Sequence, residues 1–410
     1  MTTSETTSET TSETTGDRLL DGVRVLDLSR VMSGPFCTAM LADLGAEVIK
    51  IEMPGGGDDS RHFGPFQDGE SAYFMLLNRG KKSMTLDLKS ERGREILMAM
   101  VKSSDVVIEN FRPGVAKRLG LDYAALAPLH PGLIYASISG FGQEGPLADR
   151  PAYDLIVQAM SGLMNVTGQR DGPPTAVGES VIDVCTGMFA AWGISTALFD
   201  RERTGKGRNL DIAMMDSMFS MMLTVLSMQL YTARPPTRVG SRHPVTYPVD
   251  VFEATDGHIV MVVTTDRGFA ALCKVIGQPA LSEDERFRTN ADRNTNEAAL
   301  KAIIEAWTSA QTADAAVATL ADAGIPASPV LSVGDVVESD HIAHREMIST
   351  VEHPTLGDVP MVHQPVRFSD ADRSIQRPPP LLGEHTRELL AELLELDEKQ
   401  INALNEQNVI

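Results

Sequence analysis

The stretch VRVLDLSRVMSGPFCTAMLADLGAEVIKIE, residues 23–52, decides how the chain is read. Residues 23–28 alternate toward an apolar strand. Residues 29–45 follow as a turn and a helix, with Gly45 as the C-terminal stop. Residues 48–52 form a second strand. A crossover of this kind makes the two strands parallel. The same alternation runs outward from this unit. Residues 83–88 read as a strand, 90–101 as a helix and 105–109 as a strand. Residues 113–119 open a helix with Pro113 in its first turn, and 133–139 are a further strand. Such a pattern argues for an α/β domain around a mostly parallel sheet.

From Tyr153 the chain turns helical, with helices expected over 183–203 and 214–231 and a short strand over 209–213. Residues 234–248 carry Pro, Gly and Arg without a period and read as a loop. A strand over 258–264 and helices over 268–276, 296–309 and 312–323 make a second domain. Residues 326–332 read as a strand returning to the first. The expected architecture is a large Rossmann-like parallel-sheet domain from both chain ends, residues 18–225 and 330–410. A smaller α+β domain, 240–325, is inserted through linkers at 226–239 and 326–329. Residues 2–15 repeat Thr-Thr-Ser-Glu and bury nothing, so 1–17 is expected to be a disordered tail. They have neither the basic nor the apolar region of a signal peptide.

The chain has 410 residues, ample for a sizeable core, with 42% apolar and 22% charged residues. Its net charge of −20 argues against nucleic acid or an acidic membrane as partner. A polyanionic small ligand would need local Lys and Arg. No apolar run approaches the ~20 residues that span a bilayer. Cys37, Cys185 and Cys273 are too scattered for a disulfide framework and read as buried free thiols in a reducing compartment. A cytoplasmic location is expected.

Glu52 ends the second strand, where a ribose-binding acid would sit. However, the turn at 29–35 reads SRVMSGP and lacks the GxGxxG spacing that brings backbone to a pyrophosphate. None of the nine histidines has metal-ligand spacing, so no metal is expected. Arg79, Lys81, Lys82 and Lys89 cluster around one strand, and Arg112, Lys117 and Arg118 follow another. At the carboxyl edge of an open sheet they could hold a phosphate-bearing ligand or stand as solvated charge. Asp183, before Val184-Cys185-Thr186-Gly187-Met188, reads either as a helix cap or as a carboxylate nucleophile at a positive helix end. Asp154 reads as a cap of the helix that Tyr153-Asp154 opens.

Taken in order, several segments resemble the class III CoA-transferases (CaiB/BaiF type), the family of formyl-CoA transferase and α-methylacyl-CoA racemase. They are LDGVRVLD at 20–27, Ser33-Gly34-Pro35, LADLGAEVIKIE at 41–52, DVVIENFRPG at 105–114, Thr167-Gly168 through Pro174, TGKG at 204–207 and LLGEHT at 381–386. The resemblance covers nearly the whole chain after the tail. It implies an aspartate nucleophile at Asp183, in a motif like Asp-x-x-Thr-Gly-Met, and coenzyme A or acyl-CoA as substrate with no tightly bound cofactor. CoA contacts implied by it fall on Met32, Ser33, Leu86, Lys89, Asn110, Phe111, Arg112, Arg118 and Tyr153. It also implies an interlocked, ring-like homodimer.

Departures sharpen the reading. Met53 stands where formyl-CoA transferase has an arginine near the adenine. Racemases place a histidine before the acid matching Asp154, and this chain has Tyr153. A phenol, with an ordinary pKa of about 10, is a poor base at neutral pH. CoA transfer to a carboxylic acid is therefore expected over racemisation, the alternatives being an α-methylacyl-CoA racemase and a non-catalytic acyl-CoA-binding protein. Residues 239–248 hold Gly240 alone, not the glycine-rich loop of formyl-CoA transferase, so formate–oxalate exchange is not expected and a different acid is. Arg242, His243 and Tyr247 are candidates for closing the site and holding a second carboxylate, the alternative being loop-surface charge.

Overall fold

The computed structural model describes residues 18–232 and 235–410; the expected tail and residues 233–234 lie outside them. Contacts divide the chain into two units. The first comprises Met1–Asp154, Val181–Ser217 and Ala343–Ile410. Its centre is a six-stranded, wholly parallel sheet in the order 82–85, 47–52, 24–27, 106–109, 134–139, 208–213. Numbered along the chain this is 3-2-1-4-5-6, the doubly wound order, and its direction reverses between Arg24–Asp27 and Val106–Glu109.

Side-chain alternation along each strand fills both faces. Leu26, Ile49, Met84 and Val107 point one way, into a core closed by Ile96 and Leu97 of helix Glu91–Val101 and by Leu389, Leu390, Ile401 and Leu404 near the C-terminus. Val25, Val48, Val106 and Ile134 point the other way. They meet Cys37 and Leu41 of helix Ser33–Asp43, and Ala190 and Ile194 of helix Val181–Thr204. The latter is long and apolar enough to cross a membrane, which reading for a ~20-residue run overlooked; half of its apolar window is buried in the protein. An antiparallel hairpin, Ile348–His353 with Gly357–Val362, completes this unit.

The second unit comprises Leu155–Ser180 and Met218–Ile342. It takes in more than the expected 240–325. Residues 155–180 join it through Gly240 N–H donating to the Gly168 carbonyl, Arg238 to the Asn165 carbonyl, and the Arg170–Glu297 ion pair. Its antiparallel sheet has the order 327–329, 257–262, 249–254. The strand expected to return to the large domain instead pairs here, Met261 against Ala327 and Ile259 against Pro329, so 326–329 is not a linker. Helix Leu223–Tyr231 likewise occupies part of the expected linker 226–239. Helices Asp266–Val275, Glu297–Thr308 and Ala313–Asp322 bury Phe269, Leu300 and Leu320 against Phe252 and Ile259.

Candidate functional site

At the reversal of strand order, two strand ends splay apart and leave a crevice above their carboxyl termini. There a cleft in the first unit is lined by Arg30, Met32, Ser33, Asn110, Phe111, Arg112, Arg150, Tyr153 and Asp183, among others. Seven residues named from sequence, Met32, Ser33, Asn110, Phe111, Arg112, Tyr153 and Asp183, thus meet in one place. Three do not line it. Leu86 is buried in the core, while Lys89 and Arg118 are exposed elsewhere on the unit.

Asp183 is the third residue of helix Val181–Thr204 and is half-buried. The cap is supplied by another residue: the Asp154 carboxylate accepts from Ile182 N–H at 2.8 Å and from Asp183 N–H at 3.2 Å. Asp154, expected to cap the helix it opens, thus caps the helix of Asp183 instead, and Asp183 is not its own helix's cap. Burial, and then the neighbouring Asp154 charge, push the Asp183 carboxyl up to about 7, while a hydrogen bond with the Ser33 side chain pulls the other way. Asp183 therefore titrates near neutrality and is a stronger base than an exposed carboxylate.

Ser33 can meet Asp183 because Gly187, one helical turn further on, has no side chain. A Cβ there would stand 2.6 Å from the Ser33 carbonyl oxygen and 3.0 Å from the Phe36 ring. The glycine lets helices Ser33–Asp43 and Val181–Thr204 come together so that both N-terminal turns open into the cleft. Gly34 is equally constrained, since a Cβ would fall 2.2 Å from the Ser29 side chain.

The turn leading to Ser33 is held from below. Arg30 N–H donates to Asn110 Oδ1 at 2.8 Å, and Asn110 Nδ2 donates back to the Arg30 carbonyl at 2.7 Å. Asn110 is thus committed to the loop backbone, although it was expected as a CoA contact. Val31 N–H donates to both Asp58 oxygens, at 3.0 and 3.2 Å.

The basic cluster around 79–82 is not a phosphate site. Arg79 pairs with Asp43 at 2.6 Å, and Lys82 pairs with Glu47 and Glu388 at 3.0 Å each. Lys81, fully buried, reaches Asp27 at 3.1 Å and Asn78 at 2.8 Å. Each cation answers a carboxylate of its own unit. Glu52 is engaged too, by Arg61 at 2.7 Å and by the Ser83 hydroxyl at 2.6 Å, which leaves no acceptor for a ribose. By contrast, Arg112 and Arg150 have no carboxylate partner among the described residues. Arg30 has only the exposed Asp59, at 3.4 Å. Sequence reasoning missed Arg30 and Arg150, which fall in loops with no period to mark them.

In the second unit, Arg242 pairs with Glu297 and donates to Asn294 at 3.1 Å and to the His243 carbonyl at 2.9 Å. Tyr247 is buried with its hydroxyl unpartnered, and His243 Nδ1 accepts from Val245 N–H at 3.4 Å. Arg242 and Tyr247 line a separate cleft with Arg170 and Lys301. The three candidates are accordingly built into the frame of their own unit. Cys37, Cys185 and Cys273 are buried free thiols, and no group of three or more metal-ligating side chains gathers among the described residues.

Comparison with known proteins shows the family of the chain. The sequence profile described as CoA-transferase family III matches residues 20–386. An acetyl-CoA:oxalate CoA-transferase of Acetobacter aceti is 48% identical over 359 residues, covering 87% of this chain and 91% of that protein. A succinyl-CoA:glutarate CoA-transferase of Mus musculus is 39% identical over 386 residues, covering 94% and 88%. A CaiB/BaiF family protein of Brucella suis has a solved structure that matches with a TM-score of 0.81 at 39% identity, covering 91% of this chain and 99% of that one. The chain belongs to CoA-transferase family III and is an enzyme that transfers CoA.

Proposed function

We propose that the chain moves CoA from an acyl-CoA to a carboxylic acid with Asp183 as the carrier. The observation behind this is the setting of Asp183 at a helix start in the cleft, half-buried, beside Ser33 and Asp154. The ionised carboxylate attacks the donor thioester carbonyl, forming a mixed anhydride and expelling CoA thiolate. The thiolate attacks the aspartyl carbonyl, releasing the donor acid and leaving an aspartyl-CoA thioester. The acceptor carboxylate attacks that thioester, giving a second anhydride and free thiolate. Attack of the thiolate on the acceptor's carbonyl then yields the new acyl-CoA and restores Asp183. Thioester energy is kept throughout, so no ATP is consumed.

Desolvation that raises the Asp183 carboxyl also raises its nucleophilicity, and the N-terminus of helix Ser33–Asp43, which has no side-chain cap, offers N–H donors toward developing oxyanions. Arg112 and Arg150, free of protein carboxylates, are the cations for the ligand's anionic groups. The Acetobacter and mouse relatives are named for oxalate and glutarate, both dicarboxylates. A dicarboxylate acceptor fits here: one carboxylate reacts at Asp183 and the other rests on an arginine of the cleft. The Acetobacter relative is named for acetyl-CoA and oxalate, so oxalate stands among the candidate acceptors, against the expectation of a different acid drawn from the missing glycine-rich loop at residues 239–248. A racemase would need a second base beside Asp183, and the neighbouring Tyr153 phenol is 70% exposed.

Exchange assays with acetyl-CoA or succinyl-CoA against oxalate, succinate, glutarate and monocarboxylates test this reading. Wild-type protein should show exchange with at least one dicarboxylate and no α-proton exchange without an acceptor. An Asp183→Ala protein with wild-type exchange would contradict it.

A further inference from the structure

The loop that delivers Ser33 to Asp183 contains a residue in a conformation its side chain disfavours. Val31 has φ +67, the left-handed region, where a β-branched residue is an outlier. Such a backbone persists only when its surroundings hold it. Here the holder is Asp58, whose two carboxylate oxygens accept from Val31 N–H. Asp58 is 1% exposed and pairs with Lys50 Nζ at 2.7 Å. Lys50, with no exposure, also donates to the Ser29 carbonyl at 3.0 Å. One buried ion pair therefore grips the loop at two backbone points, residues 29 and 31, immediately before the helix that begins at Ser33. Asp58 is itself tied down by the Glu52 carboxylate, which accepts from Asp58 N–H at 3.0 Å.

An ion pair this deep is weak support for stability, because desolvating both charges offsets most of their attraction. A pair that imposes a strained turn beside a reactive group has a functional use. We infer that the Lys50–Asp58 pair positions the Ser33 hydroxyl against Asp183 by holding Val31 in its left-handed conformation. Lys50 and Asp58 are positioning residues and touch no substrate. The inference rests on Asp183 being the nucleophile. Burial opposes ionisation at both residues, but the Lys50 ammonium and the N–H donors of Ser60 and Val31 hold the Asp58 carboxyl far below its ordinary range, so the pair stays charged at neutral pH.

The test removes both charges together, so that no ion is orphaned. A Lys50→Met/Asp58→Ala protein should lower kcat for CoA exchange about tenfold or more, as a sub-ångström displacement of a reacting group does. Loss of the Ser33 contact should also move the acid limb of the kcat/KM profile to higher pH, a shift that mere loss of stability does not produce. Adding Val31→Gly should recover much of both, because glycine takes φ +67 without a strap. Unchanged kcat and limb in the double variant, or no recovery in the triple variant, overturns the inference. If the double variant does not fold, the same measurements on Asp58→Asn decide in the same way: a smaller loss restored by Val31→Gly supports it, and no change overturns it. An acyl-CoA-derived adduct is sought on wild-type Asp183 alongside. With an adduct present, a wild-type profile in the variants defeats the strap alone. With none, the nucleophile reading falls and takes the inference with it.

Discussion

The Asp154 carboxylate caps the helix in which Asp183 is the third residue, accepting Asp183's own N–H at 3.2 Å. The Asp154 carboxylate thus lies beside the carboxylate proposed to carry CoA. The cap orients the helix, and its charge, added to burial, sets the acid strength of Asp183.

That coupling predicts a pH dependence. Asp183 must be ionised to attack, so kcat/KM should rise with pH along an acid limb centred at about 7. Asp154→Asn keeps an oxygen for the cap and removes the charge. It should shift the limb about one pH unit to lower pH. A limb that stays in place would show that Asp154 acts only as a cap.

Stability should change in the opposite sense to activity. The folded-state pKa of Asp183 lies above its ordinary 3.8, so the folded protein holds this proton more tightly than the unfolded chain does. The stabilising contribution is present below about pH 4 and is lost as pH rises through about 7. Asp183→Asn should therefore abolish exchange while stabilising the protein by about 1–2 kcal/mol at pH 8, with little gain at pH 4. Denaturant titrations at the two pH values measure this.

Gly187→Ala places a methyl 2.6 Å from the Ser33 carbonyl oxygen. Overpacking at this helix contact should cost about 1–3 kcal/mol. Because the contact also fixes the distance from Ser33 to Asp183, kcat should fall about 10–100-fold. A variant destabilised to that extent but with unchanged kcat at low temperature would separate the contact from the chemistry.

The two sets of basic residues should behave differently. Lys82 is already shared by Glu47 and Glu388, so Lys82→Ala should leave KM for acyl-CoA within about twofold. Arg112 faces the cleft without a carboxylate partner, so Arg112→Ala should raise that KM about tenfold or more. Steady-state kinetics at fixed ionic strength distinguish the two.

The doubly wound half of the fold was legible because short, largely buried strands alternate along the chain with helices, the first of which stops at Gly45. The hairpin at 348–362 was not, since Val359 and Met361 are its only buried hydrophobic residues. Strand Ala327–Pro329 has three residues, too few to show which sheet it joins. The site was readable where residues near in sequence stay near in space, as at 110–112 and 183–188. The charge at 79–82 misled because the partners are distant: Arg79 lies 36 residues from Asp43, Lys81 lies 54 from Asp27, and Lys82 lies 306 from Glu388. For the same reason nothing local marks Asp58, 27 residues beyond the Val31 it holds.

The central claim is that Asp183 carries CoA covalently, and trapping tests it most directly. The protein is incubated with acyl-CoA, quenched with hydroxylamine, digested and examined by mass spectrometry. An aspartyl hydroxamate at Asp183, dependent on acyl-CoA and lost when an acceptor acid is added in excess before the quench, is the predicted result. Full exchange activity with an unmodified Asp183, under conditions where donor acid is released, would contradict the account.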